Sequence, residues 1–503
     1  MNRKFVIDNP RTGGVWRPSK PAATTAGPTG RPHALSLLLL LTLAAPALLL
    51  AQSGQGMAEA GAMERQSSSS TPFLGSIPEE KVTAEPLSIT FSDAIERALR
   101  RNLGETLSAQ TTAATRGEKW KELSALLPNV NAAAVESVQK ANLQAMGLTF
   151  PGVPEVIGPF AFFDARAYLT QTVFDWKAIQ KYRAASEQER GAQYSYRDAR
   201  ELVVLATGNA YLLAIAAEAR VEATDSQVNT AKALFGKTSD QQKAGTSPGI
   251  DTLRANVELQ IRQQQLIVAR NDFAKQKLVL ARVIGLAAGQ HFTLASKVPY
   301  EAFPAPTPEE ALQKAYAQRP DYQAAVSRVA SARLSAGAAK AGYYPSFNLA
   351  ADFGEIGTRP NTVLPTFHAS GGLQIPIFQG GRVHGDVLVT ESNLRQTEAQ
   401  LADLRGRIDQ EVRVALLDLA SAADQVEVAR SSVELAEEAL RQSQDRFTAG
   451  VTDNLEVVQA QESVATAHDN FISSLYQHNV AKVSYARAIG RAEAGVKEYL
   501  KGK

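Results

Sequence analysis

IDQEVRVALLDLASAADQVEVARSSVELAEEAL, the run from Ile408 to Leu440, decides the fold. Its Ile408, Val412, Ala415, Leu419, Ala422, Val426, Ala429, Val433, Ala436 and Leu440 advance by alternating steps of four and three. A mean step of about 3.5 residues keeps one stripe facing a partner helix, the seam of a left-handed coiled coil. Outward from this seam, Gly380 to Ala449 runs 70 residues without a proline. At about 1.5 Å per residue that predicts a helix roughly 100 Å long, too long for an ordinary domain, so it lines or spans something.

A second rod precedes it. Trp176 to Ala244 runs 69 residues without proline, and at an offset of 205 the seam reads Val203, Thr207, Ala210, Ala214, Ala217, Val221, Thr224, Val228, Ala231 and Phe235. The smaller and more polar residues of this copy permit close helix approach. The duplication extends beyond the rods. Ala94 and Ala98 match Ala311 and Ala315 at an offset of 217, as Pro128 matches Pro345; Gly245 matches Gly450 and Gly285 matches Gly490 at 205, and Phe174 matches Phe378 at 204. The drop of 13 between offsets places an insertion in the first half between Pro128 and Phe174. Each unit reads as two short helices, two strands around a loop, the rod, a glycine turn, and a helix of about 35 residues. Thr307, Pro308 and Glu310 predict one helix start, by capping-box spacing with proline at the first turn.

The strand candidates lie about 129–137 and 161–174 in the first unit and about 346–354 and 367–377 in the second. Phe347, Leu349, Ala351 and Phe353 alternate with Ser346, Asn348, Ala350 and Asp352, and Phe367 to Ile377 alternates likewise, with Pro376 expected at a strand end. Phe163, Ala165, Ala167, Leu169 and Val173 alternate less cleanly because Gln171 interrupts the apolar side, and Asn129 to Ser137 alternates poorly. Such lengths suit tilted membrane-barrel strands of about 9 to 11 residues, yet the smallest membrane barrels close with about eight strands and this chain offers four. Either several chains share one barrel or the strands form a small water-exposed sheet.

The flanks and composition narrow the setting. Ala34 to Ala51 is an uncharged run behind Arg3, Lys4, Arg11, Arg17, Lys20 and Arg31, which predicts a signal peptide over 1–51; its length also just reaches that of a membrane anchor. Residues 52–86, with a QSSSST run, are expected to be a flexible leader, followed by units at 87–290 and 306–490 and a tail at 491–503. With 53 basic and 51 acidic residues the net charge of +2 gives no reason to expect nucleic acid. The six histidines form no ligand cluster, and the absence of cysteine removes disulfides, thiolate metal sites and a thiol-linked lipid anchor. Gly245 to Gly249, GTSPG, matches a hydrolase elbow literally, but a long helix stands where that elbow needs a strand. No catalytic, cofactor-binding or metal residue is expected.

Four marks carry a family resemblance: Pro345 before the third strand, PIFQGGR at Pro376–Arg382, RFTAGVTDNL at Arg446–Leu455, and an element order given twice. From about Leu87 to Gly490 the layout resembles the TolC-like outer-membrane efflux family. The resemblance implies a mainly α protein with a membrane β-barrel: a homotrimer whose four strands per protomer complete a twelve-strand barrel in outer-membrane lipid, above a coiled-coil tunnel across the periplasm. It further implies an exit channel for efflux or type I secretion, with an inner-membrane pump and a periplasmic adaptor as partners and no bond made or broken. Gly245 and Gly450 would form the tip turns, Asp251, Glu456 and Gln459 would border the tip opening, and Phe174, Phe378, Gly380 and Gly381 would mark strand-to-helix junctions. The local chemistry offers competing roles, since Asp453 and Glu456 have capping-box spacing and Ser247 with Pro248 can open the helix holding Asp251. Val451 and Thr452 stand where such proteins can carry a basic lock residue and Phe447 where they can carry a tyrosine, leaving Arg446 or Lys243 as substitutes. The rival readings are an exported coiled-coil stalk or adaptor, and an envelope enzyme.

Overall fold

The structure, a computed structural model, describes residues 72–499 except 79–81, 84, 288, 296–299 and 304–305, with backbone alone for 496–499. The expected signal peptide, the leader up to residue 71 and the last four residues of the tail lie outside the described residues. From Pro72 the leader expectation needs correction. Phe73 packs on the core, Ile77 N donates to Arg101 O at 2.8 Å and Leu103 N to Gly75 O at 3.0 Å. The apolar Phe73, close behind the serine run, gives this segment something to bury, while Leu74 and Ile77 stay exposed.

The elements run β1 (Leu87–Ile89), α1 (Phe91–Arg101), α2 (Leu103–Ser124), β2 (Asn129–Asn142), β3 (Val156–Phe174), α3 (Trp176–Lys243), α4 (Gly249–Ile284), β4 (Phe292–Leu294), α5 (Pro308–Gln318), α6 (Pro320–Lys340), β5 (Ser346–Gly357), β6 (Val363–Gln374), α7 (Arg382–Thr448), α8 (Asn454–Ala488) and α9 (Ala492–Tyr499). The long helix expected from Gly380 starts at Arg382, because Gly380 and Gly381 hold φ of 58° and 82°, left-handed values outside the helical range. Along α7 the seam from Ile408 to Ala429 is buried, and α3 buries Val203, Thr207, Ala210, Ala214, Ala217 and Ala231. Alternating three- and four-residue spacing is thus realised as contact, α3 against α4 and α7 against α8, with α3 also meeting α8. Two pairs the sequence did not suggest close the ends: β1 lies parallel to β4, and α9 docks on α3 and α8.

Each repeat closes on itself at an elbow. Asn102 ends α1 and caps α2, its Oδ1 accepting from Gly104 N at 2.8 Å while its Nδ2 donates to Phe73 O at 2.7 Å. At the same place in the second repeat, Arg319 joins α5 to α6 and is buried. Its guanidinium reaches Asp321 at 2.7 Å and Glu411 at 2.6 Å, and donates to Ala488 O at 3.2 Å. Asp198 meets Arg487 beside this cluster at 2.6 Å. Gly285, in the left-handed cap position that ends α4, lies against the first elbow, and Gly490, just after α8, lies against the second. A Cβ on Gly285 would sit 2.7 Å from Arg101 Cβ, and one on Gly490 2.7 Å from the Arg319 backbone.

The four strands form one antiparallel sheet in the order β2-β3-β5-β6. Register sets Ala167 beside Phe353 and Phe353 beside Phe367, while Val130 faces Leu169. One face therefore carries Val130, Leu169, Leu349, Phe353 and Phe367, all exposed, the last at 79%. Gln171 interrupts that face as expected, its amide donating to Leu126 O at 3.0 Å. The strands differ from expectation in extent. β6 stops at Gln374, because Pro376 has no N–H to give the ladder and restricts the residue before it. β2 continues to Asn142 and β3 begins at Val156, so their hairpin overruns β5, whose pairing with β3 reaches only Phe163. The insertion lies in that overrun and its 143–155 connection.

Candidate functional site

Two places bear on function, the sheet and the turns at the far ends of the long helices. On the sheet, alternation sends the second set of side chains to the face opposite the apolar one. There Arg166 Nε meets Asp164 at 3.2 Å, its terminal nitrogens reach Asp352 and Thr366 Oγ1, the latter at 3.1 Å, and His368 lies 3.7 Å from Asp352. The sheet thus has one apolar and one ion-paired face. Among the described residues its outer strands β2 and β6 each have a single neighbour. Unpaired strand edges offer rows of N–H and C=O groups to another chain, and in lipid each unsatisfied group costs several kcal/mol.

At the first turn, Gly245 holds φ 71° and its N–H bonds Gln242 O at 3.0 Å, while Thr246 N reaches Gln241 O at 2.9 Å. Asp251 is 7% exposed. Ser247 Oγ donates to its Oδ2 at 3.0 Å, Arg254 lies 3.7 Å away, and Asn454 Nδ2 donates to the Asp251 carbonyl at 2.9 Å. Within the protomer this acid is turned inward. The residue missed in the sequence is Asn454, fully buried, which joins the two turns across 203 positions; its polar type in a turn gave no signal of a distant partner. The GTSPG serine is occupied by the carboxylate one turn on.

At the second turn, Gly450 holds φ 72° and Val451 N bonds Arg446 O at 2.9 Å. Asp453 caps α8 by accepting from Leu455 N at 3.0 Å. Glu456 does not complete a capping box. It accepts from Thr452 and lies 3.6 Å from Arg446, while Gln459 is exposed. Lys243 pairs with Asp240 at 3.3 Å. Leu234, Ala255, Phe447 and Val457 form a small core beneath both turns. At the other end, Phe174 is the last residue of β3, Asp175 caps α3, and Phe378, Gly380 and Gly381 connect β6 to α7 with Phe378 largely exposed. Among the described residues no group of three His, Asp or Glu side chains gathers as metal ligands would.

Comparison with known proteins meets this geometry. OprJ of Pseudomonas aeruginosa, an outer membrane protein, is 26% identical over 337 residues, covering 62% of this chain and 65% of that one. SepC of Pseudomonas putida, a probable efflux pump outer membrane protein, is 22% identical over 62% of this chain and 64% of its own. The chain thus spans just under two thirds of the length of these two relatives. The solved CmeC outer membrane channel of Campylobacter jejuni superposes with a TM-score of 0.71 at 17% identity, covering 91% of this chain and 98% of that one, which shows the fold. A family model described as outer membrane efflux protein matches residues 121–286 and again 311–491, one segment in each half of the duplication. With its paired rods, its glycine turns and its one-sided sheet, the chain belongs to the outer membrane efflux protein family.

Proposed function

We propose that the protein is an outer-membrane exit channel, a passive conduit for substrates that an inner-membrane pump delivers through a periplasmic adaptor in efflux or type I secretion. The observation that carries this is the sheet: four strands with two open edges and an exposed apolar face. A lone protomer in lipid would leave both edges unpaired, whereas three copies joined edge to edge close a twelve-strand barrel with the apolar face outward and the Arg166 cluster inward. On this reading the repeats are 87–290 and 306–490, a signal peptide precedes them, and α3, α4, α7 and α8 wall the periplasmic tunnel. No bond is made or broken, and the driving energy belongs to the pump. At the tip, Glu456 and Gln459 border the opening, and Asp251 joins them only if Ser247 and Arg254 release its carboxylate.

Fractionation tests the proposal. The protein should sediment with outer membranes and run as a trimer that heat dissociates on a denaturing gel, with ion conductance in a planar bilayer. A protein that washes off membranes as a detergent-independent monomer would be a stalk or adaptor instead.

A further inference from the structure

Away from the tip and the sheet, one partly enclosed space lies where all four long helices meet. It holds about 300 Å³ and is walled by Gln227 and Thr230 of α3, Arg262 of α4, Glu437 of α7, and Gln461 and His468 of α8, a volume at the lower end of those that hold small molecules. Gln461 is 7% exposed, and both its Oε1 and its Nε2 are buried without a hydrogen-bond partner. Buried amides are ordinarily satisfied, so an idle acceptor and an idle donor side by side on a cavity wall fit a molecule presenting the reverse pair. The charge of Arg262 is already matched. Arg262 Nε donates to Glu258 at 2.6 Å and its NH1 to Gln265 at 2.9 Å, and Glu437 meets His468 Nε2 at 3.1 Å. An anion entering here finds Arg262 already paired and the Glu437 carboxylate close by, whereas Leu440 and Val464 offer apolar wall to the body of a neutral molecule.

We infer that this cavity binds a small neutral molecule with a primary carboxamide or lactam edge on an apolar body. The carbonyl of that molecule accepts from Gln461 Nε2, and its N–H donates to Gln461 Oε1. Because the walls come from α3 and α4 of one repeat and α7 and α8 of the other, an occupant ties the two helix pairs together. The inference does not rest on channel activity, and its test is read on the purified full-length protein in whatever oligomer it forms, with size exclusion recorded separately. Benzamide and N,N-dimethylbenzamide, which keeps the ring and carbonyl but has no N–H, are titrated into wild type and Gln461→Leu by calorimetry. The expected result is benzamide binding at least tenfold tighter than the dimethyl compound in wild type, with that preference lost in Gln461→Leu at unchanged elution volume. No benzamide binding, equal binding of the two probes, or an unchanged preference in Gln461→Leu overturns the site and leaves a cavity filled by water only. Should Gln461→Leu fail to fold, Gln461→Met, close in volume and equally without the amide, gives the same reading.

Discussion

The elbows and the tip turns both end long helices at a left-handed glycine, yet they are built in opposite ways. At the elbows Gly285 and Gly490 touch backbone or side chain of the joint they face, and Arg319 is buried among Asp321, Glu411 and a helix-end carbonyl. At the tip a Cβ on Gly245 or Gly450 would meet open space. The lesson is that the same residue serves two ends. At an elbow glycine provides both a backbone angle and room, whereas at the tip it provides only the angle. The elbows are joined by buried polar groups, whereas the tips are joined by Asn454, by Lys237 to Thr448 and Thr252 to the Thr238 carbonyl, and by a small apolar core.

Substitutions can break this contrast in order of size. Arg319→Ala leaves Glu411 without its cation and Asp321 with only the more distant Arg487, 3.9 Å away, and is expected to cost about 4 kcal/mol, read as a lowered thermal midpoint; the neutral Asn102→Ala at the matching elbow should cost about 2 kcal/mol. Equal losses at the two joints would erase the difference between an ionic and a neutral elbow. Gly490→Ala adds a collision to an unfavourable angle and should cost about 3 kcal/mol, against about 1 kcal/mol for Gly450→Ala. If the two alanines behave alike, space at the elbow is not what matters.

Acidity sharpens the picture on the elbow side. His478 is fully buried on α8, its ring tilted by 44° against Tyr300 at 4.9 Å, with Arg430 also over that tyrosine and Lys482 one turn on. Burial, and then the charge of Lys482, push its pKa down to about 4 from 6.5. The unfolded chain therefore takes up a proton that the folded chain refuses between those values. Stability should fall as pH drops from 6.5 toward about 4 and level off below, by about 3 kcal/mol from this group. Thermal midpoints of His478→Leu against pH should lose that part of the slope, and an unchanged slope would assign it elsewhere. Asp198 acts in the opposite direction, since burial raises its pKa despite Arg487 beside it. Its folded form holds a proton to higher pH than the unfolded one, so its contribution declines as pH rises through the carboxylate range and partly offsets the histidine. The smallest effect belongs to the tip. Glu456→Gln should lower the cation preference of bilayer conductance by a factor of about two without moving the thermal midpoint. An unaltered selectivity removes Glu456 from the lining.

Much of this was legible in the residues. The seams of α3 and α7 follow from spacing alone because every step is local, and Gly245 and Gly450 announced helix ends by type. Contacts that join distant segments were not legible. β1 and β4 are three residues each and pair across 205 positions, too short for any period to show. α9 lay hidden in a polar tail, although Glu201 accepts from its first N–H groups. Whether Asp251 faces water was undecidable from its neighbours, since Asn454 of the other repeat holds its carbonyl. The Arg166 cluster did leave a signal. Asp164, Arg166, Asp352 and Thr366 all fall on the polar phase of their strands, and only the register was needed to bring them together.

The overrun of the first hairpin has a practical consequence. β2 and β3 stay paired for about seven residues past the last β3–β5 pair, roughly 20 Å of two-stranded ribbon ending in the 143–155 connection, on the side away from the helices. In an assembled duct that ribbon would stand above the rim as a surface handle. A peptide epitope inserted there should be reachable by antibody on intact cells, giving a readout of orientation that leaves the wall and its joints untouched.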